Sequence, residues 1–139
     1  ATMGLNGFIS MGVDEDWATH MIGHELTALC GLDHGETLAI VHPGVMDIMR
    51  KEKRGKLLQY ARRVWNITIE NEEQAIDEAI ERTENFFRSI GKKTRLSEYG
   101  IGDDVIETIV ERFKQRGWNV GEHGIVTPEK TRLILERVK

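Results

Sequence analysis

Three of the five histidines of the chain lie close together, at positions 20, 24 and 34. Imidazole is the metal ligand that proteins use most often, and residues four apart share one face of a helix. His20 and His24 therefore form one pair that could chelate a metal, and His34 follows after a short interval. The types and spacing of these residues indicate a candidate site for iron or zinc.

The segment that carries the histidines has the features of an amphipathic helix. Asp14 or Asp16 supplies an N-cap and Gly31 supplies a stop. At about 100° per residue, one side of this helix is apolar and the other carries two histidines. The apolar side consists of Ala18, Ile22, Leu26 and Leu29, and the opposite side consists of Trp17, His20, His24 and Thr27. We therefore expect the histidines to face solvent or a cleft.

The sequence HELTALCGLDH, residues 24–34, is similar to the zinc motif H-E-x-x-H-x-x-G-x-x-H of metalloproteases. His24, Glu25, Gly31 and His34 occupy the expected positions, but Ala28 stands where the second ligand belongs. Alanine has no lone pair to donate to a metal, so we reject this interpretation.

Three other interpretations of the histidines stay open at this point. Asp16 with His20, or His20 with His24, could chelate a metal as pairs four residues apart. His20 and His34 could meet if the following loop folds back along the helix, and further ligands would then come from elsewhere. Alternatively, all three histidines are surface or capping residues.

The overall composition is that of one globular domain. The chain has 139 residues, of which 40% are hydrophobic and 30% charged, and its formal net charge is −4. The negative charge gives no reason to expect binding to nucleic acid. The single cysteine, Cys30, allows no internal disulfide and fits a reducing cytoplasm. No apolar run approaches the roughly 20 residues of a membrane span.

Helical periodicity runs along most of the chain, and no sustained alternation predicts a strand. We expect one all-α domain of six to seven helices, with caps at Asn71 and at Thr127-Pro128 and a stop at Gly91. The predicted core positions of the later helices are Leu57, Leu58, Ala61, Val64, Trp65, Ile76, Ala79, Ile80, Phe86, Phe87, Ile90, Val105, Ile106, Ile109, Val110, Phe113, Leu133, Ile134, Leu135 and Val138.

Several single residues carry local expectations. Pro43 should kink an apolar helix or start a new segment. The neighbouring His42 and the single Cys30 are predicted to pack in the interior, and His123 is predicted to be solvated. The opening of the chain, with Leu5, Phe8, Ile9 and Met11 at helical spacing, resembles the end of a helix whose beginning is missing. Gly100-Ile101-Gly102 predicts a simple turn, because no strand–turn–helix setting surrounds it.

The stretch DWATHMIGHELTALCGLDHGETLAIVHPGVM, residues 16–46, resembles the iron-dependent alcohol dehydrogenase family. The family motif has a histidine, a second one four residues later, and a third followed by glycine before an apolar helix with a proline. His20, His24, His34-Gly35 and Pro43 occupy those positions. The segments KLLQYARRVWNI, NFFRSIGKKTRLSEYGI and GEHGIVTPEKTRLILE extend the resemblance over the whole chain, and the branch of NAD(P)H-dependent butanol dehydrogenases and aldehyde reductases is the most similar.

The resemblance implies roles for individual residues. His20 and His34 are then metal ligands, and His24 is an unligated residue near the nicotinamide cofactor and the substrate. The other two ligands of the family, an aspartate and a histidine four residues later, belong to an earlier helix. Asp16 mimics that spacing with His20 but aligns with the later motif. Residues 1–139 would then be a C-terminal, metal-binding helical domain that lacks the nucleotide-binding domain and the start of the helical domain.

The resemblance also implies an activity for the complete enzyme. That enzyme would transfer hydride between NAD(P)(H) and an alcohol or aldehyde, with divalent iron or zinc as a Lewis acid. We expect a cytoplasmic homo-oligomer, no nucleic acid or membrane partner, and no activity and only weak metal binding for this chain alone. Two alternatives are a helical interaction module that exposes an apolar surface, and a self-contained metal-binding domain that uses Asp16, His20, His24 and His34.

Overall fold

Six α-helices make up most of the structure, a computed structural model that describes residues 10–12 and 14–139. They are α1 (Ala18–Cys30), α2 (His34–Ile48), α3 (Arg54–Val64), α4 (Glu72–Ser89), α5 (Asp103–Arg116) and α6 (Pro128–Arg137). Short 3-10 turns span Leu96–Tyr99 and Glu122–Gly124, and one isolated bridge joins Val120 to Val126. No strand occurs in the described part of the chain, so the predicted all-α class is confirmed.

Local capping chemistry sets three helix ends as the sequence predicts, whereas α1 starts after Trp17 and not directly after the predicted caps Asp14 or Asp16. The side chain of Asn71 accepts a hydrogen bond from the backbone N–H of Gln74 at 3.1 Å and starts α4. Thr127 plays the same part for α6, with Pro128 in the first turn. Gly31 adopts the left-handed conformation that ends α1. The predicted helix end around Leu5, Phe8 and Ile9 lies outside the described residues.

The larger of two apolar clusters joins α1, α2, α5 and α6. Ala18, Ile22 and Leu26 of α1 are fully buried in it, which confirms the predicted apolar side of that helix. Helix α2 lies at the centre, because it packs against α1, α4 and α6. The other buried members of this cluster are Ile40, Val41, Val45, Met49, Leu96, Ile101, Ile106, Ile109, Val110, Phe113, Val120, Val126, Ile134, Leu135 and Val138.

A second, smaller cluster lies between α3 and α4. Its buried members are Met46, Leu57, Leu58, Ala61, Ile67, Ala75, Ile76, Ala79 and Ile80. Met46 is its only buried contribution from α2, so the α3–α4 pair has its own core beside the larger one. None of the helices in the described ranges is both long and apolar enough to cross a membrane.

Four residues predicted to face the core are largely exposed instead: Val64 (57%), Phe86 (50%), Ile90 (58%) and Leu133 (49%). Val64 is the last residue of α3, and Phe86 and Ile90 lie in or just after the last turn of α4. These three side chains lie near helix ends, and at least half of the surface of each stays uncovered. Leu133 directly precedes the fully buried Ile134, and adjacent residues on a helix point about 100° apart.

Of the two alternatives predicted for Pro43, a kink or a new segment, the new segment does not occur. Helix α2 runs without a break from His34 to Ile48 with Pro43 buried inside it. Proline removes only one N–H from the helix ladder, and the burial of the surrounding apolar side chains compensates for that loss. His34 is the first residue of this helix. The Glu36 carboxylate accepts the backbone N–H of Asp33 at 3.2 Å and fixes this start.

Candidate metal site

Helix α1 presents its histidines on the side away from the core. His24 is exposed, and His20, one turn earlier, is half-buried. The ring of Trp17 stands edge-on to the His20 ring, with 5.2 Å between centroids. The prediction that these residues share an outward-facing side is therefore confirmed.

Helix α2 carries His34 back to α1. A close approach between the two helices makes this possible, because Gly23 of α1 faces Thr37 of α2. A Cβ atom at position 23 would lie 2.8 Å from the Thr37 hydroxyl oxygen, so only glycine fits without movement. The same hydroxyl donates a hydrogen bond to the carbonyl oxygen of His34 at 2.9 Å. The contact between Gly23 and Thr37 thus lies within one turn of the imidazole of His34.

The rings of His20 and His34 lie closer to each other than either lies to the ring of His24. The centroids of His20 and His34 are 4.8 Å apart. Two imidazoles that bind one metal at about 2.0–2.1 Å, with near-tetrahedral angles, have centroids about 5 Å apart. His24 lies farther away, at 6.1 Å from His20 and 5.8 Å from His34. The 4.8 Å separation leaves room for one metal between the rings of His20 and His34, as the resemblance predicts, and the unligated role of His24 stays a prediction.

The electrostatic environment favours the ligating form of His20. Burial lowers the pKa of His20, and the nearby rings of His34 and His24 lower it further. A neutral imidazole has a free lone pair, which is the form that a metal requires. Within residues 10–12 and 14–139, no three His, Cys, Asp or Glu side chains form a group that could hold a metal ion. A metal held by His20 and His34 would therefore need further ligands, which the described residues do not supply.

A cavity of about 480 Å³ opens beside His20. His42 and Phe87 line it together with His20. The ring nitrogen Nδ1 of His42 lies 3.5 Å from the hydroxyl oxygen of Thr19. Burial lowers the pKa of His42 and outweighs the opposing effect of Asp16. The sequence predicts a packing role for His42, but its spacing of about two helical turns from His34 also places both residues on one side of α2.

Asp16, Cys30 and His123 make contacts that do not involve His20 or His34. Asp16 accepts the backbone N–H of Ala18 at 2.9 Å and pairs with Lys53. Cys30 is partly buried at the end of α1, and burial raises the pKa of its thiol. His123 is 66% exposed and pairs with Asp14, which agrees with its predicted solvation.

The ion pairing of Glu25, on α1, was not predicted from the sequence. Glu25 is 6% exposed, because it lies beside Ala18 and Leu29 on the edge of the apolar side of α1. Its carboxylate accepts hydrogen bonds from Arg112, at 2.8 Å, and from Arg116, both on α5. Glu25 therefore ties the histidine-bearing helix to α5.

Comparison with known proteins identifies the family. The sequence profile of the Fe-containing alcohol dehydrogenase family, C-terminal, matches residues 2–131. The chain belongs to this family. The resemblance seen in the sequence is thereby confirmed.

Two members of the family with similar sequences are named for their activities. The NADPH-dependent aldehyde reductase YqhD of Escherichia coli is 48% identical over 140 residues, which is 100% of this chain and 36% of that protein. The NADH-dependent butanol dehydrogenase A of Clostridium acetobutylicum is 33% identical over 124 residues, 87% of this chain and 32% of that protein. The chain spans about a third of the length of these curated relatives.

Solved structures of family members have the same fold. A crystal structure of E. coli YqhD superposes with a TM-score of 0.90 at 47% identity, over 99% of this chain and 36% of that chain. The NADH-dependent butanol dehydrogenase A of Thermotoga maritima superposes with a TM-score of 0.81 at 29% identity, again over 99% and 36%.

Proposed function

We propose that residues 1–139 are the C-terminal, metal-binding helical part of an NAD(P)-dependent alcohol dehydrogenase or aldehyde reductase. The observation that carries this proposal is the 4.8 Å separation of the His20 and His34 rings, which suits two ligands of one metal. The family of the chain and the activities for which its relatives are named support the reaction class. Relatives that use NADPH and relatives that use NADH both support a nicotinamide cofactor.

The three histidines would have different roles at the site. His20 and His34, both as neutral imidazoles, would hold a divalent iron or zinc ion. Such an ion would polarise the oxygen of an alcohol or aldehyde as a Lewis acid. His24, near the cofactor and substrate, would hydrogen-bond the substrate oxygen or relay a proton at its ring nitrogen. A cytoplasmic location, a homo-oligomeric parent enzyme and the absence of nucleic acid or membrane partners stay predictions.

Zinc titration of histidine variants tests the ligand assignment. We expect His20→Ala and His34→Ala each to weaken Zn(II) binding to the chain at least about tenfold, because each removes one of two ligands. His24→Ala is the matched control on the same side of α1, and we expect it to bind zinc as the wild type does. Calorimetry measures the affinities. Equal losses in all three variants would instead support a self-contained three-histidine site.

An activity assay tests the assignment to part of a larger enzyme. The chain alone should not oxidise NADPH or NADH with butanal, even with excess Zn(II) or Fe(II), because it spans about a third of its relatives. Robust turnover by the chain would contradict this proposal. Co-expression with the remaining two thirds of the YqhD sequence is the positive control.

A further inference from the structure

The start of α1 depends on a residue outside the helix. Trp17 precedes the first turn, and its side chain forms no capping hydrogen bond. The carboxylate of Asp16 takes that place, since its Oδ1 accepts the backbone N–H of Ala18 at 2.9 Å. His20 is the third residue of the helix, so it lies in the turn that Asp16 caps.

A lysine from another part of the chain holds this carboxylate. Lys53 is the residue just before α3, and its ammonium group pairs with Asp16. The same ammonium lies 3.4 Å from Oε2 of Glu122. The side chain of Lys53 is only 18% exposed, so solvent screens these contacts less than it screens a surface pair.

The loop that carries Glu122 packs directly against the capped turn. A Cβ atom at Gly121 would lie 3.3 Å from the Cβ of Ala18 and 3.4 Å from Oδ1 of Asp16. Reciprocal backbone hydrogen bonds of 3.0 Å between Val120 and Val126 close this loop. The start of α1, the residue before α3 and the loop with Glu122 thus meet at Asp16. Among the described contacts of these segments, only the ammonium group of Lys53 neutralises the charge of the Asp16 carboxylate.

We propose that Lys53 is a positioning residue for His20. By fixing Asp16 it fixes the first turn of α1, and that turn sets the separation of the His20 ring from the His34 ring. The inference rests on the proposed function in one respect, namely that His20 binds a metal. The ordering of the first turn itself does not depend on that role.

Nuclear magnetic resonance of the metal-free chain tests the proposal. In Lys53→Met we expect the amide hydrogens of Ala18 and Met21 to exchange about fivefold faster, the size of effect that the loss of a helix cap has. The nuclear Overhauser effects between the rings of His20 and His34 should weaken in parallel. Zn(II) affinity should fall by a similar factor, whereas circular dichroism should show the wild-type helix content.

Matched variants separate positioning from general stability. Lys53→Arg keeps the charge and should restore exchange rates, ring contacts and zinc affinity to within about twofold of the wild type. Lys130→Met removes another lysine–carboxylate pair, to Glu52 at 2.6 Å, which does not touch α1. It should leave all three measurements unchanged. Asp16→Asn keeps an oxygen for the Ala18 N–H but loses the charge, so its effect should be intermediate.

The outcomes distinguish this inference from the proposed function. Wild-type exchange rates and ring contacts in Lys53→Met, or the same changes in Lys130→Met, would overturn the role of Lys53. If the wild-type chain does not bind zinc, that result would contradict only the assignment of His20 and His34 as ligands. In that case the exchange rates and ring contacts still decide whether Lys53 positions His20.

Discussion

Single residues show where local patterns are informative and where they fail. The spacing of His20, His24 and His34 predicts a shared side, because helix periodicity relates residues a turn apart and needs no tertiary information. The same periodicity places Glu25 beside Ala18 and Leu29 at the edge of the buried side, but it does not show which residues pair with Glu25. Its partners Arg112 and Arg116 lie 87 and 91 residues later in the sequence, so only the folded chain brings them together.

The Glu25 ion pair leads to a prediction about stability. Glu25→Gln should lower the free energy of unfolding at pH 7 by about 2 kcal/mol, because it weakens charge-assisted hydrogen bonds to two arginines at a nearly buried carboxylate. Urea unfolding measures the change. The exposed Glu111, which accepts a hydrogen bond from Gln115 on the same helix, is the control. Glu111→Gln should change stability by less than about 0.5 kcal/mol.

The contribution of the Glu25 carboxylate to stability should depend on pH. Burial raises the pKa of Glu25, but the hydrogen bonds and charges of Arg112 and Arg116 outweigh burial and hold it below its ordinary value of 4.5. A carboxyl whose pKa is lower in the folded state stabilises the fold above 4.5 and loses that contribution as the pH falls through the folded value. The stability difference between wild type and Glu25→Gln should therefore shrink below pH 4.5. A difference that stays constant down to strongly acidic pH would contradict the assignment.

Helices and their packing explain which elements could be predicted. Asn71, Thr127 and Gly31 act within one turn of their own positions, so the sequence is sufficient to locate the helix ends that they set. The exposure of Phe86 and of Leu133 depends instead on which sides of α4 and α6 the neighbouring helices cover. The amphipathic pattern of a helix marks an apolar side but does not show how much of that side a neighbour covers.

Helix packing also leads to a prediction at Gly44. A Cβ atom there would lie 2.7 Å from Cγ1 of Val138 and 3.0 Å from the carbonyl oxygen of Ile134. Gly44→Ala should therefore separate α2 from α6 and lower the free energy of unfolding by about 1–3 kcal/mol. The matched control is Gly55→Ala in α3, where no heavy atom lies within 4 Å. That change should raise stability by about 0.5–1 kcal/mol through helix propensity, and thermal unfolding compares the two.

At the scale of the whole molecule, two cores of unequal size share α2. The cluster between α3 and α4 has half as many buried hydrophobic residues as the cluster around α1, α2, α5 and α6. The sequence predicted most members of both clusters but not their separation, because periodicity shows that a helix face is buried without showing which neighbour covers it.

The two cores should open independently. Native-state hydrogen exchange is expected to show amides of α3 opening at a free energy at least about 1 kcal/mol below that of α5, since less apolar surface is exposed when α3 and α4 separate. Leu58→Ala should lower the opening free energy of α3 while leaving that of α5 nearly unchanged. A single opening free energy for both helices, with one denaturant dependence, would show that the cores unfold as one unit.

The tight contact between Gly23 and Thr37 would couple metal binding to the packing of α1 against α2. His20 and His34 sit on different helices, so an ion held by both would act as a non-covalent cross-link between α1 and α2. Its binding energy would then add directly to the free energy that keeps those two helices docked. Conversely, whatever loosens that docking, whether a bulkier residue at position 23 or heat, would release the ion before the rest of the molecule unfolds.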